Sequence, residues 1–168
     1  GNDAATAIAE YVGGSEEAFV NMMNRRAQEL MANGTHFMNP HGLHDDNHYT
    51  TAYDLYLIFN ECIKHEDFVN IIQSEAYTAY YTDVDGNSQE ALFTPTNLYA
   101  QGEVDVPENV TIVGGKTGTT DEAGYCLILM EKDSSDNPYI SIVMGASEKP
   151  VLYEDMTSLI EAIPSGQQ

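Results

Sequence analysis

The spacing of apolar residues changes period near residue 76, and this restricts the fold of the chain more than any other feature. Upstream, Phe19, Met22, Met23, Ala27 and Leu30 recur at intervals that place them on one face of a helix. Downstream, Tyr125 to Lys132 and Tyr139 to Gly145 are rich in β-branched and aromatic residues and are bounded by turn formers, as strands are. Helices gathered first and an antiparallel meander afterwards give an α+β class with segregated elements. Residues 1–75 are expected to be mainly helical, and residues 76–168 to carry strands and a terminal helix.

Local signals divide the chain further. Asp3 to Tyr11 predicts a short helix stopped at Gly13-Gly14. Ser15 is placed to cap a second helix, with Glu16 and Glu17 in its first turn and Asn33-Gly34 at its end. Thr35 to Tyr49 reads as a long loop of His, Asn, Asp, Gly and Pro. Thr51 caps a third helix with Ala52, Leu55, Tyr56, Phe59, Cys62 and Ile63 on its apolar face, and a fourth, shorter helix turns Phe68, Ile71 and Ile72 inward. Tyr77 to Thr82 and Leu92 to Tyr99 read as extended and joined through Asp85-Gly86-Asn87. Val110 to Val113 reads as a short buried strand. Leu152 to Ile163 closes the chain as a helix with Leu152, Met156, Leu159, Ile160 and Ile163 on one face.

Charge narrows the function. There are 27 Asp and Glu against 6 Lys and Arg, a formal net charge of −21. So acidic a surface repels phosphate backbones and anionic lipid, so no nucleic-acid partner is expected. No apolar run approaches the roughly 18 residues a membrane helix needs. Cys62 and Cys126 have no cysteine neighbour in sequence, which excludes a zinc ribbon and leaves two buried free thiols as the expectation.

Lys116-Thr117-Gly118 is the sharpest chemical signal. Lysine is scarce here, and this one follows Gly114-Gly115 at the end of an apolar run. A phosphate loop of the Gly-x-x-x-x-Gly-Lys-Thr type needs glycine where Val110 stands, and the residues beyond lead to a strand instead of a helix N-terminus. A nucleotide site is therefore not expected. A lysine ammonium beside a threonine hydroxyl can hold a carboxylate. Gly118 lets a substrate backbone approach, and the N–H groups just after it suit an oxyanion. Alone, the triplet also reads as a Gly-rich bend entering a strand. Gly1-Asn2-Asp3-Ala4-Ala5 opens a helix with Asn2 either capping it or facing a ligand. His36, His41, His44 and His48 crowd one loop, but Pro40 and Gly42 break any helical His pairing, so no metal is assigned. An ordered loop with imidazoles bonded to backbone is expected instead.

In order along the chain, Gly1-Asn2-Asp3-Ala4, Phe19-Val20-Asn21-Met22-Met23-Asn24, Thr35-His36-Phe37 through His41-Gly42-Leu43, Tyr53-Asp54-Leu55, Lys116-Thr117-Gly118-Thr119-Thr120 with Ala123-Gly124-Tyr125, and Val143-Met144-Gly145-Ala146 resemble the low-molecular-weight penicillin-binding proteins, the serine D-Ala-D-Ala carboxypeptidases. Gly1-Asn2 matches that family's Ser-Gly-Asn motif from its second residue. The resemblance implies a partial penicillin-binding-protein/β-lactamase-like transpeptidase fold, with residues 1–168 forming part of one catalytic domain. It implies a parent enzyme that removes the terminal D-alanine of peptidoglycan stem peptides through an acyl-enzyme and binds penicillin. Asn2, Lys116 and Thr119 are then catalytic, and Thr117, Gly118 and Thr119 bind substrate. Asn2 holds the substrate amide, Lys116 supplies positive potential, Thr117 takes the carboxylate and the Thr119 N–H completes the oxyanion hole. The implied partners are a stem peptide ending in D-Ala-D-Ala and β-lactams as inhibitors, with no cofactor and no metal. The implied location is extracytoplasmic and bacterial, with any membrane attachment outside this chain. A non-catalytic β-lactam-sensing or peptidoglycan-binding domain, or a β-lactamase or esterase relative, would share the fold and stays open.

Two departures matter. No serine has a lysine three residues later. The nucleophile motif is expected upstream of Gly1, where the chain is read as cut, and the chain alone is expected to be inactive. Family members also often carry an arginine near the start of the last helix; here only Lys149 stands nearby.

Overall fold

Helical spacing before residue 76 and strand spacing after it are both realised. The computed structural model describes residues 1–164. Helices α1 (Asn2–Gly13) and α2 (Glu16–Glu29) open the chain, and α3 (Ala52–Cys62) and α4 (Glu66–Ile72) follow the long loop. Strands β1 (Tyr77–Thr82) and β2 (Ser88–Phe93) form a separate hairpin. A short helix, α5 (Leu98–Gln101), leads into an antiparallel sheet of β3 (Val110–Thr120), β4 (Gly124–Asp133) and β5 (Pro138–Ala146), in that spatial order. Helix α6 (Lys149–Glu161) packs on β4 and β5.

Helix ends follow local hydrogen bonding. Ser15 Oγ accepts from the Ala18 N–H, and Thr51 Oγ1 from the Asp54 N–H, each at 3.1 Å. Helix α2 stops before the expected Asn33-Gly34. Met31 adopts φ 64° and the Ala32 N–H returns to the Ala27 carbonyl at 2.9 Å, a left-handed terminus made without glycine. Both hairpins close on the same clasp. Asp83 accepts from the N–H groups of Asp85 and Asn87, and Asp133 from those of Ser135 and Asn137. The Gln89 amide, with these N–H groups, holds Asp83 below the usual carboxylate range; the Asn137 amide does the same for Asp133. The left-handed position of the turn is Gly86 in one hairpin and Asp136, at φ 68°, in the other.

Two expected elements are corrected. Leu92 to Tyr99 is not one strand. Strand β2 ends at Phe93, Pro95 has no N–H for a ladder, and Asn97 Oδ1 accepts from the Tyr99 N–H at 3.1 Å to start α5. Val110 to Val113 is not a separate strand either, because β3 continues to Thr120 through a bulge between Ile112 and Gly114. A Cβ on Gly114 would stand 2.2 Å from the Ile72 carbonyl oxygen, so glycine there is what lets the last turn of α4 close on β3.

The core lies between the sheet and α6. Leu127 and Leu129 of β4 meet Leu152, Met156 and Ile160 of α6, and each of these is no more than 2% exposed. Burial of such a side chain contributes about 2 kcal/mol. The buried stripe of α6 runs through Leu152, Met156 and Ile160, leaving Leu159 on its flank and exposed; Ile71, expected to face inward, is also exposed. The thiols expected to be buried, Cys62 and Cys126, are each only partly covered. Alternation along β4 puts Glu131 on the face of Leu127 and Leu129, where it is fully buried.

Candidate active site

Strand β3 is the edge of its sheet, so the backbone groups along its outer side have no strand partner there. A cavity of about 550 Å³ opens at its C-terminal half, and Asn2, Lys116, Thr117, Gly118 and Thr119 all line it. The five residues singled out from sequence are thus brought together. The register with β4 places Thr117 and Thr119 on the same face as Leu127 and Tyr125, toward α6, and Lys116 and Gly118 on the opposite face with Ile128 and Cys126.

Each residue reaches the cavity for a local reason. Asn2 lies inside α1 and does not cap it: Gly1 holds the N-cap position and no side chain caps the helix. Its amide is therefore not engaged as its own helix's cap. The Thr117 hydroxyl stands 2.5 Å from that of Thr96. The exposed Lys116 ammonium donates to the Thr117 carbonyl. A Cβ on Gly118 would meet only the Cβ of Cys126, at 4.0 Å, so packing does not demand glycine there and the space in front of it belongs to the cavity. Gly114, four positions earlier in the same strand, is the opposite case.

The electrostatics point to an anion. Of the six basic residues, Arg26, Lys64 and Lys132 are held in ion pairs with acids. Among the described residues, Arg25, Lys116 and Lys149 have no such partner, and the two lysines line this cavity. Lys149 is also the first residue of α6, whose N-terminus favours negative charge. Two unpaired ammonium groups at one cavity create a local positive field in a chain of net charge −21.

The loop between α2 and α3 adds His41, Gly42 and Leu43 to the wall. Its base is clasped. His36 and Tyr49 exchange backbone hydrogen bonds at 2.8 and 3.0 Å. The Asn24 amide donates to the Phe37 carbonyl and accepts from its N–H, both at 2.8 Å. Thr35 donates at 2.7 Å to Asp54, a carboxylate buried in α3. Three of the four loop imidazoles bond to backbone as expected. His36 Nδ1 donates to the Asn47 carbonyl at 2.7 Å, while His41 and His48 accept at Nδ1 from the Leu43 and Met38 N–H groups. Burial lowers the pKa of His48, which favours the neutral, accepting ring. His44 instead lies 3.3 Å from the Asp46 carboxylate.

Sequence reasoning missed Thr96, Cys126 and Tyr153, which also line the cavity. No local pattern marks Thr96. It lies 21 residues before Thr117, in a stretch that reads as strand.

Residues 1–148 match the family described as D-alanyl-D-alanine carboxypeptidase. The chain is 34% identical over 161 residues to the D-alanyl-D-alanine carboxypeptidase DacF of Bacillus subtilis, covering 96% of this chain and 39% of that protein. It is 33% identical over 145 residues to DacA of Escherichia coli, covering 86% of this chain and 32% of that protein. The crystal structure of the Streptomyces K15 DD-transpeptidase superposes with a TM-score of 0.83 at 26% identity, over 95% of this chain and 61% of that one. The chain therefore spans between about a third and two fifths of the length of these two relatives.

Proposed function

The chain belongs to the D-alanyl-D-alanine carboxypeptidase family, and from that premise we propose that it forms the anion-binding and oxyanion side of a serine D-Ala-D-Ala carboxypeptidase site. The observation that carries this reading is the gathering of Asn2, Lys116, Thr117, Gly118 and Thr119 around one cavity that a second lysine without an acidic partner, Lys149, also lines. Residues 1–168 act as part of one catalytic domain, helical through residue 75 and strand-bearing from residue 76.

No serine here precedes a lysine by three residues, so the nucleophile and its base come from sequence this chain does not contain. They stand in the cleft between Asn2 and Lys116, where a second cavity of about 680 Å³, lined by both, continues the first. The serine attacks the carbonyl of the D-Ala-D-Ala bond while its lysine takes the proton. Asn2 orients the substrate amide. Lys116 adds positive potential, and the Thr119 N–H donates to the developing oxyanion. Thr117 donates to the substrate carboxylate, with Lys149 as a second cation in the place where the family often has arginine. Collapse expels D-alanine, whose amine takes the proton, and water then hydrolyses the acyl-enzyme. The substrate is a peptidoglycan stem peptide, β-lactams are inhibitors, and the setting is the bacterial cell envelope or its exterior. Any membrane attachment resides in other parts of the protein. The 168 residues alone release no D-alanine.

The test uses the full-length protein. Lys116→Ala should slow labelling by a fluorescent penicillin by roughly a hundred-fold or more, while unfolding free energy moves by no more than about 0.5 kcal/mol, as for an exposed residue. Labelling at the parental rate would overturn the assignment. Labelling of the parent without D-alanine release would favour a β-lactam-sensing domain.

A further inference from the structure

We propose that Thr96 is a positioning residue that orients the Thr117 hydroxyl toward a carboxylate in the cavity. The inference deepens the reading above and rests on Thr117 as the carboxylate ligand. A threonine hydroxyl has one proton and two lone pairs. If Thr117 donated to Thr96, its proton would be turned away from the cavity. Thr96 has no other hydrogen-bond partner among the described residues, so its own proton has one protein acceptor, Thr117 Oγ1 at 2.5 Å. With Thr96 donating, the Thr117 proton is left for the ligand. The resulting chain, Thr96 O–H to Thr117 O–H to carboxylate, polarises along its length and strengthens the terminal bond.

The geometry holds Thr96 in place for this task. The Pro95 carbonyl before it accepts from Gln101 Nε2 at 2.7 Å. Asn97 after it is buried and caps α5. The Leu98 N–H donates to the Tyr153 hydroxyl at 2.9 Å, which ties the segment to α6. The Thr96 side chain nevertheless borders both cavities that flank Thr117. Residues on either side of Thr96 are anchored, and its hydroxyl is committed to one neighbour that faces the site.

The experiment is a double-mutant cycle in the full-length protein, read as the second-order acylation rate by a penicillin with a free carboxylate and by its methyl ester. Thr96→Val, which keeps shape and removes the hydroxyl, should lower the free-acid rate about tenfold more than the ester rate, the loss expected for one oriented hydrogen bond. Thr96→Ser should restore most of it. In a Thr117→Val background, Thr96→Val should have no further effect on the ratio. Thermal melts of each variant separate these effects from misfolding. If Thr96→Val slows acid and ester equally, or acts undiminished without the Thr117 hydroxyl, the positioning role is overturned while the carboxylate role of Thr117 stands. If Thr117→Val alone leaves the acid-to-ester ratio at the parental value, the carboxylate role fails and the Thr96 role fails with it.

Discussion

Replacing Glu131 by Gln should abolish a pH dependence of stability that the fold builds into β4. Glu131 lies on the core face of the strand, 0% exposed, and neither carboxyl oxygen has a hydrogen-bond partner. Burial pushes its pKa up from an ordinary 4.5 to about 8; the nearby Ser141 hydroxyl pulls the other way without completing a bond. Between those two values the folded chain keeps a proton that the unfolded chain releases. The stabilisation is fully present below about pH 4.5 and is lost as pH rises through 8, at up to ~1.4 kcal/mol per unit and about 5 kcal/mol in all. Glutamine has nearly the same volume and does not ionise, so any constant cost of burying its amide cancels when the two proteins are compared across pH. The assay is urea unfolding of parent and Glu131→Gln from pH 4.5 to 9. The stability difference should grow steadily in favour of the glutamine variant and flatten above pH 8. A difference that stays constant over that range would show that Glu131 is solvated or paired, and would refute the reasoning.

Three further outcomes follow from particular contacts. Gly114→Ala should unfold or severely destabilise the protein, because its Cβ would stand 2.2 Å from a backbone carbonyl oxygen, whereas Gly118→Ala should fold normally and lose penicillin labelling; calorimetry beside labelling on both variants checks the pair. Asp136→Gly should relieve the left-handed backbone at φ 68° and stabilise by about 1 kcal/mol, less whatever the exposed pair with Lys132 contributes, measured by denaturant midpoint. Met31→Gly should gain a similar ~1 kcal/mol at the end of α2 by the same measurement, because Met31 is exposed and makes the helix terminus at φ 64°.

Patterns local in sequence were legible where local physics sets them. The caps at Ser15 and Thr51, the paired strands β4 and β5 and the core face of α6 through Leu152, Met156 and Ile160 follow from side-chain spacing and from orphan N–H groups that need partners. The Lys-Thr-Gly triplet was legible because a lone lysine after two glycines is rare in so acidic a chain. The sequence alone did not show that the two glycines sit within one continuous strand, because the pressure on Gly114 comes from the end of α4, some forty residues away in the chain. Nor did it show that Pro95-Thr96-Asn97 leaves the strand to brace the site, since the anchors are Gln101 and Tyr153. Glu131 reads in sequence as an ordinary charged position on an alternating strand. Only tertiary packing over that face buries it, because desolvation depends on what covers a side chain in space and leaves no mark on its neighbours in sequence. The same holds for the cavity itself: Asn2, Thr96, Lys116 and Lys149 are distant in sequence, and tertiary structure alone makes them neighbours.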